Sequence, residues 1–237
     1  MREPIKVDVW SDIACPWCYI GKRRLEAGIA AFAADPGGPE RPSERDGTAD
    51  RPPVEVEYHS FQLSPDTPAD FEGSVVDYLV GAKRLSEDRV HAMLDRVTGI
   101  AREVGLQYDF AAVRHTNTVK AHQLLHYAKA HGRQLAMKER LLRAYFVEGG
   151  HIGRPEDLAG LAAEVGLDRD DGLRALLDDR YLGAVHDDQR LAARYGINAV
   201  PYFVIDGRYG LSGAHPIDVF SKALATVADE LASVEIK

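Results

Sequence analysis

Ile5, Val7 and Val9 are separated by single polar positions, and this period of two predicts a strand over Ile5–Trp10. Ser11-Asp12 then read as turn residues. From Pro16 to about Ala34, Gly21, Leu25, Gly28/Ile29 and Phe32 recur at helical spacing. Pro16 suits the first helical position, where its missing N–H has no partner to lose. Asp35–Pro53 is almost entirely Pro, Gly and charge, which predicts a mobile loop. Val54, Val56, Tyr58 and Ser60 then alternate with Glu55, Glu57, His59 and Phe61, a second strand.

The pattern changes to helices from Ser64 to about Arg180. Ser86 is placed to cap a helix carrying Val90, Leu94, Val97, Ala101 and Val104, which Gly105 stops. Ala121, Leu125 and Ala128 mark another, stopped by Gly132; Leu135, Leu142, Tyr145 and Phe146 mark a third. Pro155 opens a fourth with Leu158, Leu161, Ala162 and Val165, and a short one lies near Leu173 and Leu177. A helix at about Gly183–Tyr195 leads to a strand at Tyr202–Ile205. The turn pair Asp206-Gly207 and a partner strand at Tyr209–Ser212 follow. Ile217, Phe220, Leu224, Val227 and Leu231 form the stripe of a last helix. With the helical block removed, the order is β-α-β-α-β-β-α. That is an α/β, thioredoxin-like arrangement: 1–63 and 181–237 form one domain, and 64–180 form an inserted all-helical domain.

Composition narrows the function. The 237 residues, 45% apolar, suffice for a sizeable core, and a net charge of −8 with no Lys/Arg run longer than Lys22-Arg23-Arg24 argues against nucleic acid. No stretch approaches the roughly 20 apolar residues of a membrane span. Met1–Trp10 lacks the apolar run of a secretory signal, so a cytoplasmic location is expected, where structural disulfides are rare.

The two cysteines, Cys15 and Cys18, are therefore chemical rather than structural candidates. Disulfide exchange needs an attacking thiolate and a second thiol to resolve the mixed disulfide. A C-x-x-C at a helix start supplies both, and the helix N-terminus favours the thiolate. Cys15 is read as the nucleophile with a lowered pKa, and Cys18 as the resolving thiol. Pro16 and Trp17 tune the pair, and Trp17 offers an apolar surface to a partner. A zinc half-site would need two more ligands; His59, His151 and His215 are available, but no His-x3-His pairing accompanies them, so no metal is expected. Two inert core cysteines are the blander reading, against which the strand-to-helix position argues.

Val200-Pro201 precedes the hairpin, and a proline there cannot donate to a ladder. In thioredoxin-like proteins such a proline is cis, faces the C-x-x-C and pairs its neighbouring backbone with a bound thiol partner. Ser212-Gly213, before the last helix, are read either as a plain cap or as an anchor for the γ-glutamyl end of glutathione.

These stretches resemble the DsbA-like thioredoxin-domain proteins of the FrnE group, relatives of 2-hydroxychromene-2-carboxylate isomerase and the kappa-class glutathione transferases. The resemblance rests on Val9–Arg24, Phe61–Leu63, Asn117-Thr118 with Ala121–Leu125, and Arg143–Phe146 with Glu148-Gly149 and Ile152-Gly153. It rests also on Val200–Gly207 with Ser212-Gly213. It implies a thioredoxin domain with a helical lid and redox activity at Cys15, Cys18 and a cis Pro201. It also implies that Asn117 and the segment Tyr145–Gly153 lie on the lid, facing the site. The isomerase and transferase branches typically hold serine where Cys15 stands, so this chain is expected to be a dithiol oxidoreductase that needs no cofactor. It would act on a protein or small-molecule thiol or disulfide, with an external thiol reductant or oxidant to reset it. Glutathione or another low-molecular-weight thiol stays open as co-substrate, and the molecule as monomer or homodimer. The alternatives are a glutathione-dependent isomerase or transferase on an aromatic or polyketide-like compound, and a non-catalytic binding module.

Overall fold

The computed structural model describes residues 3–35, 51–68, 71 and 73–234. Most of the loop predicted at Asp35–Pro53 therefore lies outside the described residues. Strand β1 (Ile5–Ser11) runs into helix α1 (Pro16–Ala34), and β2 (Val54–Ser60) returns parallel to β1, Ile5 opposite Val54 and Ser11 opposite Ser60. Then come α2 (Val75–Gly81), α3 (Glu87–Glu103), α4 (Val119–Ala130), α5 (Gln134–Phe146), α6 (Pro155–Glu164), α7 (Arg169–Leu177) and α8 (Leu182–Arg194). The hairpin β3 (Tyr202–Ile205) and β4 (Tyr209–Ser212) and the helix α9 (Ile217–Val234) complete the order. The sheet runs β2-β1-β3-β4, with β3 antiparallel to both its neighbours. Asp206 and Gly207 both take positive φ, and the Arg208 N–H closes the turn on the Ile205 carbonyl at 3.0 Å, so three residues reverse the chain between β3 and β4.

The alternation in β1 does what its period requires. Ile5, Val7 and Val9 face Leu25 and Phe32 of α1 and Phe220, Leu224 and Val227 of α9. Gly28 lets those two helices meet: a Cβ there would stand 2.6 Å from the Phe220 Cβ. On the other face, Trp10 packs with Ala192 of α8 and with Ile197. The helical segment has its own core, including Leu124, Leu141, Leu158 and Leu176, and Ile13, Tyr19 and Ile20 reach into it from the β1–α1 junction. The start of α1 is thus wedged between two cores.

Three departures from the sequence pattern have local causes. Ser11 completes β1, and Ser11 and Asp12 are buried rather than a surface turn. Ser86 stands at the N-cap of α3, but its side chain makes no capping hydrogen bond. Helix α2 has no buried residue and hence no stripe; its only advance signal is the capping box of Ser74 and Asp77. Among the described residues no helix is long and apolar enough to cross a membrane.

Charged and polar ties join the helical segment to the sheet. Gln134, at the start of α5, accepts from the Tyr58 N–H at 3.0 Å and donates to the Tyr58 carbonyl at 2.8 Å, pairing the backbone of edge strand β2. Asp188 of α8 accepts from the Ser60 N–H at 2.7 Å and lies 2.9 Å from His59 Nδ1 and 3.0 Å from His126 Nε2. The other His59 nitrogen meets Asp8 at 2.7 Å, and Trp10 stacks on the ring. Burial alone would lower His59, but Asp188 and Asp8 outweigh it and hold it up at about 9. Burial would raise Asp188, yet the hydrogen bonds from His126 and His59 and the Ser60 amide keep it well below the usual carboxylate range.

Three outcomes follow. The His59 contribution is full below its ordinary 6.5 and is lost as pH rises through about 9; that of Asp188 is full above about 4 and is lost below it. Asp188→Ala should cost about 3–5 kcal/mol in urea unfolding at pH 5–6, and less at pH 9; a loss that does not vary with pH would contradict the tie. Gly28→Ala should lower stability by about 1–2 kcal/mol, because overpacking outweighs the helix-propensity gain. Gly99→Ala, an exposed helical position where a Cβ meets nothing within 4 Å, should raise it by up to about 1 kcal/mol in the same assay.

Candidate active site

Cys15 is the N-cap of α1 and Pro16 is its first helical residue, as the proline's missing N–H favours. The Cys18 N–H closes the first turn on the Cys15 carbonyl at 3.0 Å. Both cysteines are free thiols and both are buried, 3% and 2% exposed; Trp17 between them is exposed.

The Val200–Pro201 peptide bond is cis. The Cys15 sulfur lies 3.6 Å from the Val200 carbonyl oxygen, so two motifs 185 residues apart meet at one sulfur. Gly21 makes room for this: a Cβ there would lie 3.0 Å from Pro201 Cγ and 3.2 Å from Phe203 Cζ. The Pro201 carbonyl accepts from the Gly213 N–H at 2.8 Å, which ties the turn before α9 to the same loop. The Gly213 amide is thereby spent within the chain, and Ser212 is an exposed residue of β4 paired with Tyr202.

Asn117 stands two residues before α4. Its Nδ2 donates to the carbonyls of Pro65 and Thr67, and its Oδ1 accepts from Gln62 and from the Val119 N–H. It braces the segment after β2 against the start of α4; Leu63 of that segment and Thr118, next to Asn117, both hydrogen-bond Asp12. Tyr145 and Phe146 are core residues of α5, and the Tyr145 hydroxyl lies 3.2 Å from His115 Nδ1.

Four further residues surround the pair. The Tyr108 hydroxyl donates to the Pro16 carbonyl at 2.7 Å, pinning the first turn of α1. Asp12, three residues before Cys15, is buried; its carboxylate accepts from the Leu63 N–H at 2.8 Å and lies 3.2 Å from His122 Nε2. Burial would raise Asp12, but His122, the Leu63 amide and Thr118 hold it below the usual range. Burial pushes His122 down, so the neutral ring donates from Nε2 to the carboxylate. Lys138, on α5, is fully buried.

The environment divides the two thiols differently from the helix-end argument. The hydrogen bond with Cys18 and then burial raise Cys15 well above the ordinary thiol. Burial would raise Cys18 as well, but the hydrogen bond from Cys15 and the Lys138 charge outweigh it and bring it below. The pair therefore gives up its first proton easily and holds its second tightly, with the single negative charge shared between sulfurs.

Comparisons with known proteins agree with this architecture. Residues 6–225 match the profile described as DSBA-like thioredoxin domain. The crystal structure of a probable DsbA oxidoreductase from Streptomyces coelicolor is similar, with a TM-score of 0.81 and 37% identity over 95% of this chain and 91% of that one. YwbO of Bacillus subtilis (strain 168), a protein described as uncharacterized, is 29% identical over 93% of this chain and 96% of its own. A 2-hydroxychromene-2-carboxylate isomerase structure shares the fold at a TM-score of 0.69 and 14% identity, over 97% of this chain and 98% of that one. With its strand-to-helix thiols, its hairpin and the match along nearly all of its length, the chain belongs to the family of DSBA-like thioredoxin domains.

Proposed function

We propose that this protein is a thiol–disulfide oxidoreductase in which Cys15 and Cys18 alternate between dithiol and disulfide. The observation that carries this reading is the contact of the Cys15 sulfur with the Val200 carbonyl, beside a cis Pro201. It sets one thiol against the backbone segment along which an extended partner can pair. Trp17, exposed beside it, supplies apolar surface to that partner.

The geometry supports the following cycle. The proton between the two sulfurs passes to Cys18, and Cys15 takes the negative charge that the pair shares. Cys15 attacks one sulfur of a substrate disulfide, the substrate S–S bond breaks, and the displaced sulfur leaves as a thiolate that takes a proton. Cys18, one turn further along α1, then attacks the Cys15 sulfur. The second substrate thiol leaves, and the Cys15–Cys18 disulfide remains. An external thiol such as glutathione runs the same steps backwards to restore the dithiol. Because both active-site positions are cysteine, the pair can close on itself, which favours this reading over a glutathione-dependent isomerase. The Gly213 amide, taken by the Pro201 carbonyl, gives a glutathione carboxylate no free donor at that residue.

Replacing Cys15 by Ser should lower turnover in a disulfide-exchange assay by at least about 10³-fold. Cys18→Ser should instead accumulate a mixed disulfide on Cys15, seen as a mass increase that dithiothreitol reverses. Full turnover by Cys15→Ser would defeat the proposal, and wild-type turnover by Cys18→Ser would favour the isomerase.

A further inference from the structure

The sequence of α5 carries an anomaly. Gln134, Lys138, Leu141 and Tyr145 fall 4, 3 and 4 residues apart, on one helical stripe, and all four are buried. Gln134 is bound to the backbone of Tyr58, which brings this stripe against β2. One turn on, the Lys138 ammonium stands 5.2 Å from the centre of the Tyr58 ring. Its Nζ has no hydrogen-bond partner among the described residues. A buried ammonium without a partner is costly unless something else holds it.

We infer that Lys138, delivered from the helical segment, is the counter-charge of the buried Cys15–Cys18 thiolate and sets the redox equilibrium of the pair. This rests on the oxidoreductase reading above. Glu139, next to Lys138, accepts hydrogen bonds from the Tyr19 hydroxyl and the Lys22 ammonium at 2.6 Å each, which sets this part of α5 against the first turns of the helix that begins after Cys15. Across that contact the Lys138 charge favours the Cys18 thiolate, and Cys18 in turn holds the Lys138 charge up. The other groups around Lys138 are Cys15 and Lys22 of α1, Asp12 before α1, Tyr58 of β2 and His122 of α4. Asp12 is engaged by His122 and the Leu63 amide, and Lys22 binds Glu26 and Glu139 at 2.6 Å each. Lys138 is thus the buried cation left over for the thiolate. Burial lowers it to about 8 while Cys18, Asp12 and Cys15 oppose that fall, so it is mostly charged at neutral pH.

The redox consequence has a definite sign. Reduction breaks the Cys15–Cys18 bond with two electrons from two glutathione thiols, which join as glutathione disulfide. Of the two protons released, one stays on the pair and one goes to solution, leaving a thiol and a thiolate. Only that reduced state holds the charge that Lys138 stabilises. The ammonium therefore favours the dithiol form and makes the disulfide more oxidising. Lys138 is a positioning residue, since it touches neither substrate nor the bond exchanged.

The test has two arms. Lys138→Met, an apolar chain of similar length, removes the buried charge. In glutathione buffers at pH 7.5 it should shift the equilibrium at least tenfold toward the disulfide, about 30 mV more negative, and iodoacetamide alkylation of the thiolate should shift to higher pH. The second arm uses the intact protein. Linkage requires that a cation which stabilises the thiolate be itself raised by it. With carbon-13-labelled lysine, the Lys138 Cε resonance should titrate at least one pH unit lower in the oxidised protein than in the reduced one. An identical Lys138 titration in both states overturns the inference, whether or not the variant folds. So does a folded Lys138→Met with unchanged potential and alkylation profile. Failure of the oxidoreductase reading itself would show separately, as full turnover by Cys15→Ser.

Discussion

A thiolate in a dry site has to be held by something other than water. Cys15 and Cys18 are almost wholly excluded from solvent, and burial alone would keep both as thiols. For the single charge that the pair carries, three influences work against burial: the start of α1, the hydrogen bond that Cys15 gives to Cys18, and the ammonium of Lys138. The rest of the architecture is arranged around supplying them. The strand-to-helix junction gives the first two, and the helical segment between β2 and β3 gives the third.

This explains why so many polar ties cross from the helices to the sheet. Gln134 binds the edge of β2, Asp188 binds the end of β2 and His59, and Glu139 of α5 takes Tyr19, Lys22 and Arg23 of α1. Hydrophobic packing alone is non-directional, and it would leave α5 free to slide over β2 and α1. Directional hydrogen bonds from Gln134 at its start and Glu139 near its middle fix the helix, and with it Lys138. Asp188 also sets the end of β2 against α8, the helix that leads into the Val200–Pro201 loop where Cys15 finds its carbonyl partner.

Much of this was legible in the sequence. Alternation located β1 and β2, glycines marked helix ends, and Asp206-Gly207 marked the hairpin, because these signals depend on local backbone geometry. The cysteine pair and Val200-Pro201 were legible for a similar reason: each has a residue type with one dominant use at that place. The charged shell was not. Asp12 reads as a turn and Lys138 draws no reading at all, because their burial depends on elements far away in the chain: His122 for one, Tyr58 and Cys18 for the other. A trace existed, since Lys138 sits on the buried stripe of α5, but periodicity alone cannot tell a buried lysine from one whose stem lies along the edge of an apolar face. Asn117 was marked by family likeness alone; no periodicity signals its hydrogen bonds, which tie the start of α4 to the Pro65 and Thr67 carbonyls after β2.

The central claim is that the two cysteines form one redox couple. It is tested most directly by equilibrating the wild-type protein over a series of glutathione buffers, quenching with acid, alkylating and weighing the intact chain. The account predicts a single two-electron transition, from a doubly alkylated dithiol to an unmodified protein 2 Da lighter than its thiol form, with no singly alkylated species at the midpoint. Two alkylated cysteines at every buffer ratio, including pure glutathione disulfide, would contradict it.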